Sequence, residues 1–213
     1  MTRDDLIIEY DRLQTVHGGE GLRSVYWGGC ETEPEICFVF MNPTGRNVSA
    51  QPGWEGIHAP WLGTKQVWGI FYDLGFLSDE LYERIRVMKS DEWTPEFAQE
   101  LYGHLAGQKV YITNLGKCTL PDARPIPNRV YREYLPFFLE ELQLTRPEKV
   151  IAFGNQVSSL LLGQSISVSQ CRKQSFSLDF GCKMSVWPVY YPVGNGRFNL
   201  PKAMEDLRYI IRL

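Results

Sequence analysis

Two asparagines stand where the chain turns out of an apolar run. Cys37-Phe38-Val39-Phe40-Met41 runs into Asn42-Pro43-Thr44-Gly45-Arg46, and Val110-Tyr111-Ile112-Thr113 runs into Asn114-Leu115-Gly116-Lys117. The last apolar run ends in Tyr191-Pro192-Val193-Gly194-Asn195-Gly196-Arg197. An amide side chain offers donors and an acceptor but no proton that titrates. Its chemistry is orientation, of a water or of a polar edge, rather than proton transfer. A lone Asn at a strand end is ordinarily a turn former. Two of them, with a Gly-rich basic turn at a third end, are harder to dismiss that way. Trp61 and His58 lie in the long loop after Asn42. Arg46, Lys65, Lys117, Arg124, Arg172 and Lys173 are loop cations able to contact phosphate, though each singly is an ordinary solvated side chain.

The elements that position these residues can be read in order. Leu6, Ile7, Tyr10 and Leu13 recur at helical spacing, so a helix is predicted over 2–15, with Thr2 and Asp4 or Asp5 as caps. Residues 17–36 carry Gly18-Gly19 and Gly28-Gly29 and read as an irregular surface segment. A buried strand follows over 37–42. The stretch 43–63 is rich in Pro and Gly but interleaved with Trp54, His58 and Trp61, which argues for a functional loop over a disordered one. Helices are predicted over 65–75 (capped by Thr64), 78–90 and 94–107 (Thr94 as cap, Pro95 in the first turn). Strands are predicted over 110–115, 149–154 and 183–190, with helices over 128–144, 155–162 and 200–212. Strands alternating with helices imply a three-layer α/β/α fold around a central, mostly parallel four-stranded sheet, in a single domain over 1–213. Parallel strands place their C-terminal ends on one side, where ligands bind, so the three turns should converge.

Composition sets limits. The chain has 213 residues, 44% apolar and 22% charged, ordinary for a globular protein. Its N-terminus lacks the apolar stretch of a signal peptide, and no run approaches the roughly 18 apolar residues of a membrane span. Five cysteines without a CxxC pair suggest reduced thiols and a cytoplasmic protein; Cys30, Cys37, Cys171 and Cys182 read as buried or half-buried thiols. The net charge of −3 argues weakly against a nucleic-acid partner. It divides unevenly, however: residues 1–108 hold 8 Lys/Arg and 17 Asp/Glu, residues 109–213 hold 14 and 8. A local basic face can bind phosphates on a chain that is acidic overall.

Over residues 37–213 the chain resembles the uracil-DNA glycosylase superfamily. Phe40-Met41-Asn42-Pro43-Thr44-Gly45 is similar to the G-I-N-P-G motif of its mismatch-specific branch, with Phe40 for the first Gly and Thr44 inserted before Gly45. Pro60-Trp61-Leu62-Gly63 is similar to the P-F-V-G of the iron-sulfur branch, and Val110 to Cys118 reads V-Y-I-T-N-L-G-K-C against that branch's V-Y-I-T-N-V-V-K-C. Tyr191 to Arg197 matches the spacing of N-P-S-G-L-S-R, with Tyr191 in place of the His or Asn that contacts the uracil O2, and Asn195 where the family has Leu. A phenol can donate one hydrogen bond there. Cys118 occupies one cluster-ligand position, but Tyr134 stands at the next and the N-terminal CxxC is missing. One ligand cannot hold a cluster, so neither a metal nor an organic cofactor is expected.

The resemblance implies a monofunctional DNA repair glycosylase acting on a deaminated base, uracil foremost, in DNA, as a monomer. Asn42 would orient the attacking water, and Met41, Trp61, Asn114, Tyr191 and His58 would hold the flipped base, with Trp61 stacking and Asn114 reading its edge. Gly45, Arg46, Lys117, Gly194, Asn195 and Arg197 would contact DNA, Arg197 filling the gap. A relative that binds DNA or a nucleobase without excising is the alternative, motivated by Tyr191 and the Phe40/Thr44 changes. A nucleotide-binding α/β protein of other function is disfavoured, because Gly154-Asn155 is neither a dinucleotide nor a P-loop signature.

Overall fold

The computed structural model describes residues 1–124, 126–179 and 183–213. Pro125 and Cys182 lie outside the described residues. In chain order the elements are α1 (Arg3–His17), β1 (Trp27–Gly29), β2 (Ile36–Phe40), α2 (Gln66–Asp73), α3 (Asp79–Val87), α4 (Pro95–Gly107), β3 (Val110–Asn114), α5 (Asn128–Thr145), β4 (Lys149–Phe153), α6 (Gly154–Leu162), β5 (Phe176–Asp179), β6 (Lys183–Val189) and α7 (Leu200–Ile211).

The sheet order is β1-β3-β2-β4-β6-β5. Strands β3, β2, β4 and β6 pair in parallel, and the edges β1 and β5 run antiparallel to their neighbours. The expected four-stranded sheet is thus the centre of a six-stranded one. Every residue of β2 and β3 is buried, as befits strands covered on both faces. Phe38, Phe40, Ile112, Ile151 and Phe153 pack on the face covered by α2, α3, α4 and α7. Cys37, Val39, Tyr111, Val150 and Ala152 face α1, α5 and α6.

Two local expectations change. The segment before β2 is not a surface irregularity: Ser24, Val25, Trp27 and Gly28 are buried, and β1 closes the sheet edge. Its glycines serve close approach rather than a turn. A Cβ at Gly28 would sit 2.2 Å from the Tyr102 ring, and one at Gly29, where φ is +98°, 2.1 Å from the Val110 oxygen. Thr64 does not cap α2, which starts at Gln66 without a side-chain cap. Its hydroxyl donates instead to the Trp61 carbonyl at 2.7 Å.

Candidate active site

The three turns converge at the carboxyl ends of the parallel strands. Beyond β2 and β3 the chains keep pairing: Leu115 N–H donates to Phe40 O and Gly116 N–H to Met41 O, both at 2.9 Å. Further out Thr44 bridges Leu120, and Gly45 N–H donates to Leu120 O at 2.7 Å. Asn42 sits half-buried where these two loops part. Its Nδ2 donates to Pro43 O at 2.9 Å, and its Oδ1 accepts from the Tyr131 hydroxyl at 2.8 Å. Tyr131 belongs to the first turns of α5 and was not singled out in the sequence, because a Tyr on an amphipathic helix looks like core. Its ring lies over Gly116, where a Cβ would sit 3.0 Å from Tyr131 Cε1. Burial, with Cys118 and Tyr191 adding, pushes the Tyr131 hydroxyl well above the usual phenol range, so it stays a donor at neutral pH.

Phe40 is the floor of the opposite side. Side chains alternate along a strand, and Asn114, paired with Phe40 in the sheet, shares the face of Val110 and Ile112. Asn114 is 2% exposed and its Nδ2 has no partner. Trp61 stands edge-on to Phe40, centroids 4.8 Å apart at 70°, and Tyr191 meets the same ring at 6.3 Å and 85°. Trp61 holds a left-handed φ of +68°, a conformation that costs a non-glycine residue on the order of 1 kcal/mol. The surroundings impose it. Its carbonyl accepts from Thr64 N–H at 3.1 Å and Trp68 Nε1 at 3.3 Å, the Tyr102 hydroxyl donates to Pro60 O, and Asn47 Nδ2 donates to Ala59 O at 2.9 Å.

His58 reaches the β3 end through Tyr26, whose N–H donates to His58 O at 2.7 Å and which precedes the Trp27–Thr113 pair. Burial, then Arg23, lowers its imidazole pKa, leaving it neutral near pH 7. Among the described residues six buried side-chain polar atoms lack a partner; three are Asn114 Nδ2, Trp61 Nε1 and His58 Nδ1. An unpaired buried polar atom costs about 1–3 kcal/mol. Half of that cost falls on residues expected to hold a ligand.

The third turn forms the rim. Burial pushes the Tyr191 hydroxyl up to about 12. Gly194 to Asn199 wind into a 3-10 turn, tied to α2 by Gly194 N–H donating to Gln66 Oε1 at 3.2 Å. Gly196 is required there, since a Cβ would fall 2.1 Å from the Tyr191 oxygen. Asn195 and Arg197 are exposed, as is Arg46 on the first loop. Phe198, which the sequence reading passed over, is 80% exposed and carries the Arg197 guanidinium 5.2 Å from its ring centroid. Its signal in the sequence was an aromatic beside the basic residue of a glycine-rich turn.

Lys117 is a correction. It does not face a phosphate: it is fully buried, with Nζ 2.8 Å from Glu141 Oε2. It also donates to Thr113 Oγ1 and, at 2.6 Å, to Asn114 O. Glu141 in turn accepts from Tyr10 at 2.8 Å, Tyr111 at 3.0 Å and Thr113 at 2.6 Å. Burial lowers the Lys117 pKa, with Glu141 opposing. The other cations are also engaged: Arg172 and Lys173 pair with Glu205 and Asp206 of α7, Arg124 with Asp122, and Lys65 donates to Arg86 O. Among the described residues Arg46 and Arg197 have no ion-pair partner.

The family model described as the uracil DNA glycosylase superfamily matches residues 28–208, which takes in all three converging turns. The chain belongs to this superfamily. A search of the curated proteins finds no match. Within this superfamily member Cys118 is a buried thiol whose pKa burial raises to about 11. The Tyr134 hydroxyl lies against it without a hydrogen bond of good geometry. Cys30, Cys37 and Cys171 are likewise free and buried. Among the described residues no three His, Cys, Asp or Glu side chains gather as metal ligands, and no helix is long and apolar enough to cross a membrane.

Proposed function

We propose that the protein is a DNA glycosylase that flips a deaminated base, uracil foremost, out of DNA and hydrolyses its N-glycosidic bond. The observation that carries this reading is the unpartnered Asn114 Nδ2, buried beside the aromatic corner of Phe40, Trp61 and Tyr191. Deamination puts a carbonyl where a base had an amine. An orphan donor gains a partner from the first and none from the second. Chemistry on a base requires extrusion from the stack. Trp61 stacks on the flipped base, Asn114 reads its edge, and His58, Met41 and Tyr191 close around it. Arg46, Gly45 and the turn of Gly194, Asn195 and Arg197 meet the phosphates and the gap, with Phe198 offering an apolar wedge beside Arg197.

Asn42 orients a water toward C1′ through its side-chain oxygen. The C1′–N bond breaks with its electron pair leaving on the base, and the water oxygen bonds to C1′. The water's surplus proton passes to solvent, and the base anion takes one back. A neutral amide does not accept that proton, so turnover is slower than with a carboxylate. The test is excision from oligonucleotides carrying U:G, U:A, single-stranded U or hypoxanthine, with cytosine and Asn42→Ala as controls. Cleavage of at least one lesion, lost in Asn42→Ala, is expected; binding with no cleavage of any would sink the reading.

A second reading, a protein that binds a lesion without excising it, has one observation in its favour: both polar atoms of Asn42 already bond within the protein. The same assay separates the two.

A further inference from the structure

The geometry points to Tyr131 as the positioning residue that, together with the Pro43 carbonyl, sets which end of the Asn42 amide faces the reacting centre. The inference rests on the glycosylase reading above and adds to it a residue from another layer of the fold. An Asn amide has two ends of nearly equal shape and opposite function, and rotation about Cβ–Cγ exchanges them. Only the oxygen end can accept a hydrogen bond from a water and aim its oxygen elsewhere. In this protein both ends are tied: Tyr131 donates to Oδ1 at 2.8 Å, and Nδ2 donates to Pro43 O at 2.9 Å. One lone pair of Oδ1 remains for water. Were the amide reversed, its oxygen would face the Pro43 carbonyl, acceptor against acceptor, and the Tyr131 hydroxyl would lose Oδ1, the acceptor for its proton among the described residues.

Packing alone does not call for that hydroxyl. Tyr131 is 1% exposed among apolar neighbours, so a Phe would fill its place. The fold instead brings the phenol to Asn42. Gly116 leaves room for the ring, and α5, a helix of 18 residues, fixes its height. A rigid element therefore sets the orientation of a side chain that stands on a loop.

The test exploits a chemical difference. A carboxylate has two oxygen ends, so in Asn42→Asp there is nothing to select. Single-turnover excision is compared in the wild type, Tyr131→Phe, Asn42→Asp and the double variant. Losing one hydrogen bond that orients a group gives about a tenfold drop in rate for Tyr131→Phe, with half-saturating enzyme concentration changed less than about twofold. In the Asn42→Asp background the same substitution costs less than about threefold. Activity retained by the double variant also shows that the Tyr131→Phe chain folds. An undiminished rate in Tyr131→Phe, or an equal loss in both backgrounds, would overturn the inference while leaving the glycosylase reading intact. Absence of excision by the wild type would overturn both.

Discussion

The buried ammonium of Lys117 donates to the main-chain oxygen of Asn114 at 2.6 Å, from the α5 side of the sheet. The backbone that carries the Asn114 amide is thus anchored by an ion pair with Glu141. Lys117→Met strands that carboxylate in the core and costs about 3–5 kcal/mol. Adding Glu141→Gln removes the stranded charge while keeping an acceptor for the three hydroxyls, so the double variant is more stable than the single one. Urea denaturation measures both; a double variant as unstable as the sum of its parts would reject this account.

Asn114→Leu separates function from stability. The variant deletes an unpartnered buried donor, so its melting temperature is unchanged or raised. Excision falls about a hundredfold or more, because the lost donor acts on the base alone. A variant that melts well below the wild type would mean that the amide is paired in solution.

His58 makes stability depend on acid. Its folded-state pKa lies below the ordinary 6.5, so the unfolded chain takes up that proton first as pH falls. Stability from this residue is full above about 6.5 and is lost on acidification from there toward the lower folded pKa. His58→Asn therefore shows a flatter loss of melting temperature between about pH 7.5 and about pH 5 than the wild type.

On the proposed reading Phe198, Arg46 and Arg197 contact DNA. Phe198→Ala leaves stability within about 0.5 kcal/mol, since the ring is 80% exposed. It weakens excision from duplex more than from single strands, where no gap needs filling. Arg46→Ala and Arg197→Ala each reduce the salt dependence of DNA affinity by about one unit of slope. Titration by fluorescence anisotropy at several salt concentrations reads this directly.

The parallel strands were legible because continuous apolar runs of β-branched and aromatic residues ending in Asn, Pro and Gly have few other meanings. β1 was not, since its Gly28-Gly29 signals a turn until the Tyr102 ring and the Val110 carbonyl are seen pressing on it. Asn42, Asn114 and Tyr191 were read from the strand ends and Trp61 from the family resemblance, and the structure gathers them at one end of the sheet. Lys117 was misread because a charged residue in a loop after a strand is ordinarily solvated, and its partner Glu141 lies 24 residues away on a helix. Tyr131 escaped for the converse reason: nothing local distinguishes a core tyrosine from one whose hydroxyl serves a distant asparagine.

Phe40 touches both Trp61 and Tyr191 while stacking on Phe153 at 4.6 Å. Trp61 and Tyr191 therefore lean on one ring. If the proposed reading holds, admitting a bulkier base has to begin at position 40 and repack both side chains together, because a change to either one singly is resisted by the other through their common support.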